Sequence, residues 1–265
     1  MRRRTIEYAL AALIAVGLIG TGFALAGGSG GSGATEIATI RPTGIGLPRV
    51  GMHGTVGAGD IVAPLKQYHD SGHYESDLEK VGDKAQAYLD RRVARINKRA
   101  KQRCRKQGTS PCRKPKLALV LDIDETSLSN YSELAAANFT GATAALTTAL
   151  FAATSPAIDP TLELFDDARD HKVAVFFITG RPDLDIIRDR TEENLTGAGY
   201  SGWEELVLKP SDASGTRDYK SGARAAIEDD GYRIVLNVGD QDSDLKGGYA
   251  DKAYKLPNPF YFISD

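Results

Sequence analysis

Cysteine is scarce in this chain, with two residues, Cys104 and Cys112, in 265. A disulfide-dense scaffold and a four-cysteine zinc site are therefore excluded, and at most one disulfide can form. Excess charge of either sign is missing too, since 33 Lys and Arg face 35 Asp and Glu. That balance excludes a disordered polyanion and a wholly basic nucleic-acid binder, so no specific nucleic-acid partner is expected. Apolar runs long enough to matter to a membrane are confined to the N-terminus, which excludes a multi-span membrane protein. No internal repeat is visible. What is present is ordinary for a soluble core: 42% hydrophobic and 26% charged residues, over a length that supports one substantial domain.

The N-terminus opens with Arg2, Arg3 and Arg4, continues through an apolar stretch from Tyr8 to Ala26, and changes abruptly to Gly27-Gly28-Ser29-Gly30. Residues 1–26 read as an export signal with a small-residue ending at Ala24-Leu25-Ala26. The apolar stretch is long for a cleaved signal, so a retained single-span anchor is the alternative. Either reading puts the body of the chain outside the cytoplasm, secreted or anchored. The arginines match the twin-arginine pattern poorly, and no cysteine follows to accept a lipid. Residues 27–59 are Gly-rich without helical or alternating period and read as a flexible linker.

From Tyr74, apolar residues at Leu78, Val81, Ala85, Tyr88, Leu89, Val93 and Ile96 recur at spacings of three and four, predicting an amphipathic helix that ends near Arg103. Residues 91–116 hold twelve Lys or Arg and no acid. Attraction to anionic lipid, cell wall or nucleic acid is one reading of this run, and a solvated helix face with its following loop is the plainer one. Beyond it, short apolar runs at 117–123, 173–178, 205–208, 234–238 and 253–256 alternate with helical patterns starting near Pro160, Pro182, Tyr219 and Ser243. This βαβ alternation predicts an α/β fold, a parallel sheet with helices on both faces. Residues 127–158 are Ala- and Thr-rich and lack strands, and they read as a small helical cap inserted after the first strand.

In such sheets ligands bind beyond the carboxyl ends of the strands. The first strand is followed by Asp122-Ile123-Asp124-Glu125-Thr126, the second by Thr179-Gly180-Arg181, and the fourth by Gly239-Asp240-Gln241-Asp242-Ser243-Asp244. Asp122 and Asp240 would meet at neighbouring strand ends, where two carboxylates repel unless a cation lies between them. Mg²⁺ suits oxygen ligands shared with a phosphate. Thr179 offers a hydroxyl donor and Lys220 a fixed positive charge for that phosphate, with Lys209 as a competing lysine.

Taken together, these segments resemble the haloacid dehalogenase superfamily, and within it the exported acid phosphatases that include bacterial lipoprotein acid phosphatases and plant vegetative storage proteins. The likeness extends to Tyr68-His69-Asp70-Ser71-Gly72-His73-Tyr74 and to Leu256-Pro257-Asn258-Pro259-Phe260-Tyr261, and covers about residues 60–265. It implies a Rossmann-like strand order with the cap over the strand ends, and the hydrolysis of small phosphomonoesters, nucleotides among them. By the same likeness Asp122 is the nucleophile that forms a phosphoaspartyl intermediate, and Asp124 the general acid and base. Thr179, Arg181 and Lys220 bind substrate phosphate, Lys220 being favoured over Lys209 by its place before the fourth strand. Mg²⁺ is held by Asp122, Asp124 through its backbone carbonyl, and Asp240, while Asp244 orients a water on the metal or Lys220. A non-catalytic storage or binding protein on the same fold, or a phosphotransferase, is the alternative.

Other features read more plainly. His69 and His73 are spaced as a zinc pair but lack a third ligand, so they read as helix-start packing. Cys104 and Cys112, in an exported chain, are expected to form a local disulfide. Tyr131, Phe139 and Phe151 are candidates to stack on a nucleobase, or to pack the cap.

Overall fold

The structure, a computed structural model, describes residues 58–108 and 114–263. The signal or anchor at 1–26, the linker up to residue 57 and Cys112 lie outside the described residues. In chain order the helices are α1 (Ala58–Asp70), α2 (His73–Gln107), α3 (Tyr131–Ala136), α4 (Ala142–Ala152), α5 (Asp159–Asp170), α6 (Asp185–Gly197), α7 (Thr216–Asp229) and α8 (Asp242–Leu245). The strands are β1 (Lys116–Leu121), β2 (Ala174–Pro182), β3 (Glu205–Lys209), β4 (Tyr232–Gly239) and β5 (Ala253–Lys255). They form one sheet in the order β3-β2-β1-β4-β5, and every pairing is parallel.

Alternation along β1 explains the layers. Leu117, Leu119 and Leu121 join the core formed with α1, α2 and α5, whereas Ala118 and Val120 face Phe176, Ile178, Ile234 and, from α7, Ile227. Side chains two apart share a face of a strand, so a run apolar at every position is buried on both sides. From β1 the chain moves outward to β2 and β3, then returns to place β4 on the other flank of β1. The carboxyl ends of β1 and β4 are thus the topological switch point of the sheet, where a ligand crevice forms.

The long helix α2 buries Tyr74, Leu78, Gly82, Ala85, Leu89, Val93 and Ile96, at the expected helical spacing, and runs one turn past Arg103. Gly82 is required by close packing: a Cβ there would lie 2.6 Å from that of Pro160 at the start of α5. Past Ile96 no side chain of α2 is buried, so the basic run is a solvated helix face. Arg99, Arg103 and Lys114 share a groove with Lys116 and Arg233, at the ends of β1 and β4 opposite to the strand ends that carry Asp122 and Asp240. Cys104 is disulfide-bonded.

Some boundaries differ from the pattern-based expectation. Helix α1 begins at Ala58, two residues inside the stretch read as linker, and contains Pro64. A left-handed Gly72 (φ 79°) turns the chain from α1 into α2, and Tyr68 donates to Asp77 at 2.7 Å across that turn. Strand β2 continues through Thr179, Gly180 and Arg181 because Pro182 pairs with Lys209, so α6 starts at Asp185 and not at Pro182. The cap segment holds α3 and α4 and no strand of the sheet, as its composition implied.

Candidate active site

Asp122 follows β1 directly, and its N–H donates to the Val238 carbonyl of β4 at 3.1 Å, so backbone pairing fixes it at the switch point. Ser127 Oγ donates to the Asp122 carbonyl at 2.6 Å, which folds the next five residues back beneath the strand end. Glu125 takes a left-handed conformation (φ 52°) in that turn. Its buried carboxylate receives the Asn130 N–H at 2.7 Å and a bond from Tyr261. Burial, then the Asp124 charge, pushes the Glu125 carboxyl up to about 8.

Asp240 follows β4 directly, and Asp244 lies in the short helix α8 just after it. A Cβ on Gly239 would lie 2.4 Å from Asp244 Cβ, so only glycine lets Asp244 fold back against the end of β4. The buried Arg224 of α7 donates to the Asp244 carbonyl at 2.6 Å, to the Gly248 carbonyl at 3.0 Å and to that of Lys246, and so clamps this loop. Asp240 accepts from Asn258 at 2.7 Å, from Gln241 at 2.5 Å and from Thr126 at 3.2 Å.

Lys220 stands between two of the aspartates, with Nζ 2.5 Å from Asp122 Oδ1 and 2.6 Å from Asp244 Oδ1. Burial works against its ammonium, but the two carboxylates outweigh that and hold Lys220 charged, well above the ordinary lysine range. Burial and the Asp244 charge push Asp240 up to about 7. Burial, followed by Asp244, also raises Asp122, against the pull of Lys220. Oxygens of Asp122, Asp240 and Asp244 lie within 4.8 Å of one another, a donor set whose charge exceeds that of the one ammonium between them. Three hard, buried carboxylates with surplus negative charge fit a divalent cation.

Asp124 is held by a different set of partners. Arg181 grips it with Nη2 at 2.7 Å and Nε at 3.1 Å, and Asn130 donates to it at 2.9 Å. Burial alone would raise this carboxyl, but the Arg181 charge and hydrogen bonds hold it below the usual carboxylate range. The remaining Arg181 contact goes to Thr191 at 3.0 Å, so its guanidinium is committed to protein groups. The expectation of Arg181 as a phosphate ligand therefore meets a different arrangement, in which Arg181 positions Asp124.

Asp122, Asp124, Arg181, Lys220, Asp240 and Asp244 all line one cavity of about 290 Å³. Thr179 lies beside it but is fully buried, its hydroxyl accepting the Arg181 N–H at 3.2 Å. Lys209 donates to Thr216 at 3.1 Å and does not line the cavity, which leaves Lys220 as the site lysine. Sequence reasoning assigned no role to Asn130, Arg224, Gln241 or Asn258, which hold the aspartates. Of these, Gln241 and Asn258 stood in short motif segments singled out by pattern. His69 pairs with Asp70 and stacks on Tyr131, and His73 bonds Ser71, so the two histidines serve the α1–α2 junction. Phe139 is buried against Phe260, Phe151 is exposed, and none of the three cap aromatics lines the cavity.

A five-stranded parallel sheet with aspartates from two adjacent strand ends around one buried lysine defines the class, an α/β fold of the haloacid dehalogenase type. Residues 53–264 match the family model for HAD superfamily, subfamily IIIB (Acid phosphatase), and the chain belongs to that family. Over 113 residues it is 42% identical to "Acid phosphatase 1" of Solanum lycopersicum, covering 42% of this chain and 44% of that protein. It is 40% identical over 115 residues to the "Stem 28 kDa glycoprotein" of Glycine max, covering 41% and 44%. It is 34% identical over 110 residues to "Vegetative storage protein 1" of Arabidopsis thaliana, covering 41% and 40%. The matched stretch thus spans less than half the length of these relatives. The fold is also that of the class C acid phosphatase from Bacillus anthracis, with a TM-score of 0.59 at 22% identity over 78% of this chain and 87% of that one.

Proposed function

We propose that this protein is a phosphomonoesterase, an acid phosphatase that depends on Mg²⁺ and works through a phosphoaspartyl intermediate on Asp122. The observation that carries the proposal is the surplus of buried carboxylate at the switch point. Asp122, Asp240 and Asp244 converge there, and Lys220 is the ammonium between them. Folding such a cluster is costly unless a cation offsets its charge. In support, the Bacillus anthracis class C acid phosphatase has been solved with tungstate bound, a tetrahedral oxyanion.

When bound, Mg²⁺ would neutralise charge on the phosphoryl oxygens, held by Asp122, the Asp124 carbonyl and Asp240. The Asp122 carboxylate attacks phosphorus, its new O–P bond forming as the ester P–O bond breaks. Asp124 gives a proton to the departing alkoxide, then takes one from the water that attacks the acyl phosphate. Inorganic phosphate leaves and the Asp122 carboxylate returns. Lys220 stabilises phosphoryl oxygens, and Asp244 holds Lys220 in place. Asp124 paired with Arg181 is in the form that deprotonates water. An arriving phosphate dianion raises its affinity for the proton that the first step needs.

Exhaustive chelation is expected to abolish turnover of a simple phosphomonoester, and added Mg²⁺ to restore it. Full activity after chelation would reject the metal-dependent mechanism. The Arabidopsis relatives named as vegetative storage proteins favour a second reading, storage without catalysis. The intact Asp122 and Lys220 pair argues for the enzyme.

The arginines and apolar stretch of residues 1–26 support a location outside the cytoplasm. Sequencing the mature N-terminus tests it: a start at Gly27 means a cleaved signal and a retained Met1 in the membrane fraction an anchor. A full-length cytosolic product would contradict both.

A further inference from the structure

Above the carboxylates, the wall of the cavity is built by the cap. Thr143, Leu146, Thr147 and Leu150 of α4 all line it. Their spacing of three, four and seven puts them on one helical face. Helix α4 contains no charged residue. The Thr147 hydroxyl donates to the Thr143 carbonyl at 2.7 Å, so its proton is spent within the helix. Pro182 and Ile263 continue the apolar lining. The cations that line the cavity among the described residues are Lys220 and Arg181, and both are paired with aspartates. With both cations paired, a second phosphate would meet no free positive charge there, and on the α4 side a polyhydroxylated alcohol would trade its water for a mainly aliphatic wall whose free hydroxyl is that of Thr143.

We infer that the α4 stripe forms an apolar leaving-group subsite, which selects phosphate monoesters of small apolar alcohols over sugar phosphates and over esters carrying a second anionic group. This inference rests on the phosphomonoesterase reading and adds the substrate class to it. The cavity volume of about 290 Å³ lies at the small end of ligand pockets, about 300–1,000 Å³, so the alcohol is limited to a few carbons or one ring. Each methylene moved from water onto such a wall is worth about fourfold in affinity.

The test is a series of ethyl, propyl and butyl phosphates with glycerol phosphate, assayed with Mg²⁺ on the full chain. The primary alcohols of the alkyl series have closely similar acidity, so the trend reports contact with the wall and not leaving-group chemistry. The expected result is a rise in kcat/KM of about fourfold per methylene, with glycerol phosphate below propyl phosphate. Leu146→Asn should flatten the series, and Thr143→Val, at an exposed and conservatively changed position, should steepen it. Turnover with a flat or falling series would overturn the subsite and leave the phosphomonoesterase reading standing. Absence of turnover on every ester would overturn both.

Discussion

Asp122→Asn is expected to lower phosphomonoester turnover on the order of 10⁴-fold or more while the melting temperature stays level or rises. The amide oxygen is a poor nucleophile toward phosphorus, and no other carboxylate can replace it without leaving its own hydrogen bonds. Asp240 is tied to Asn258, Gln241 and Thr126, and Asp124 to Arg181. The stability half follows from linkage. Burial and Asp244 hold the Asp122 carboxyl above its unfolded-state value. A carboxyl raised on folding costs stability once the pH exceeds its unfolded value, because the unfolded chain releases that proton more readily. Removing the charge relieves that cost, while Lys220 keeps Asp244 at 2.6 Å. Steady-state turnover and a thermal melt of the same preparation check both halves. A variant that retained a tenth of the native rate would remove Asp122 from the mechanism.

Asp124→Asn is expected to slow formation of the phosphoenzyme in proportion to how badly the leaving group needs a proton. General acid catalysis is worth about 10²- to 10⁴-fold, so that is the loss expected for an alkyl phosphate. Nitrophenyl phosphate, whose phenolate departs unprotonated, should lose far less. The comparison belongs in the pre-steady-state burst, since hydrolysis of the intermediate also loses its base and stalls for both esters. The structure adds a stability cost that the sequence did not suggest. Arg181 is buried and its two contacts with Asp124 are its link to a counter-ion. Breaking a buried pair from one side costs on the order of 3 kcal/mol, so the variant should melt lower and be assayed well below its midpoint. Equal burst losses for the two esters would count against Asp124 as the acid.

The centre of the sheet was legible in the sequence because β1, β2 and β4 are buried on both faces. The run Leu117-Ala118-Leu119-Val120-Leu121 carries no polar residue, and the runs of β1, β2 and β4 each end at a charged or Gly-containing segment. Because ligands collect at strand ends, the positions of Asp122, Asp124 and Asp240 followed from those boundaries, whereas Lys220, within α7, was preferred over Lys209 on the family resemblance; all four line the cavity. What stayed hidden depends on side-chain direction across long sequence separations. Arg181 lies in a segment that reads as phosphate-binding, yet it reaches 57 positions back to Asp124. Arg224 looks like an ordinary surface residue of an amphipathic helix and is instead buried beneath the Asp244 loop. Helix α1 carries Pro64 and follows a Gly-rich stretch, so no local period announced its start.

The central claim is that phosphate is carried on Asp122. Rapid acid quenching during turnover of a ³²P-labelled phosphomonoester, followed by peptide mapping, tests it most directly. The account predicts acid-stable, hydroxylamine-labile label on the peptide that contains Asp122, approaching one phosphate per chain when hydrolysis of the intermediate is slowed by Asp124→Asn, and none on Asp122→Asn. Label on another residue, or phosphate release without any labelled protein, would contradict it.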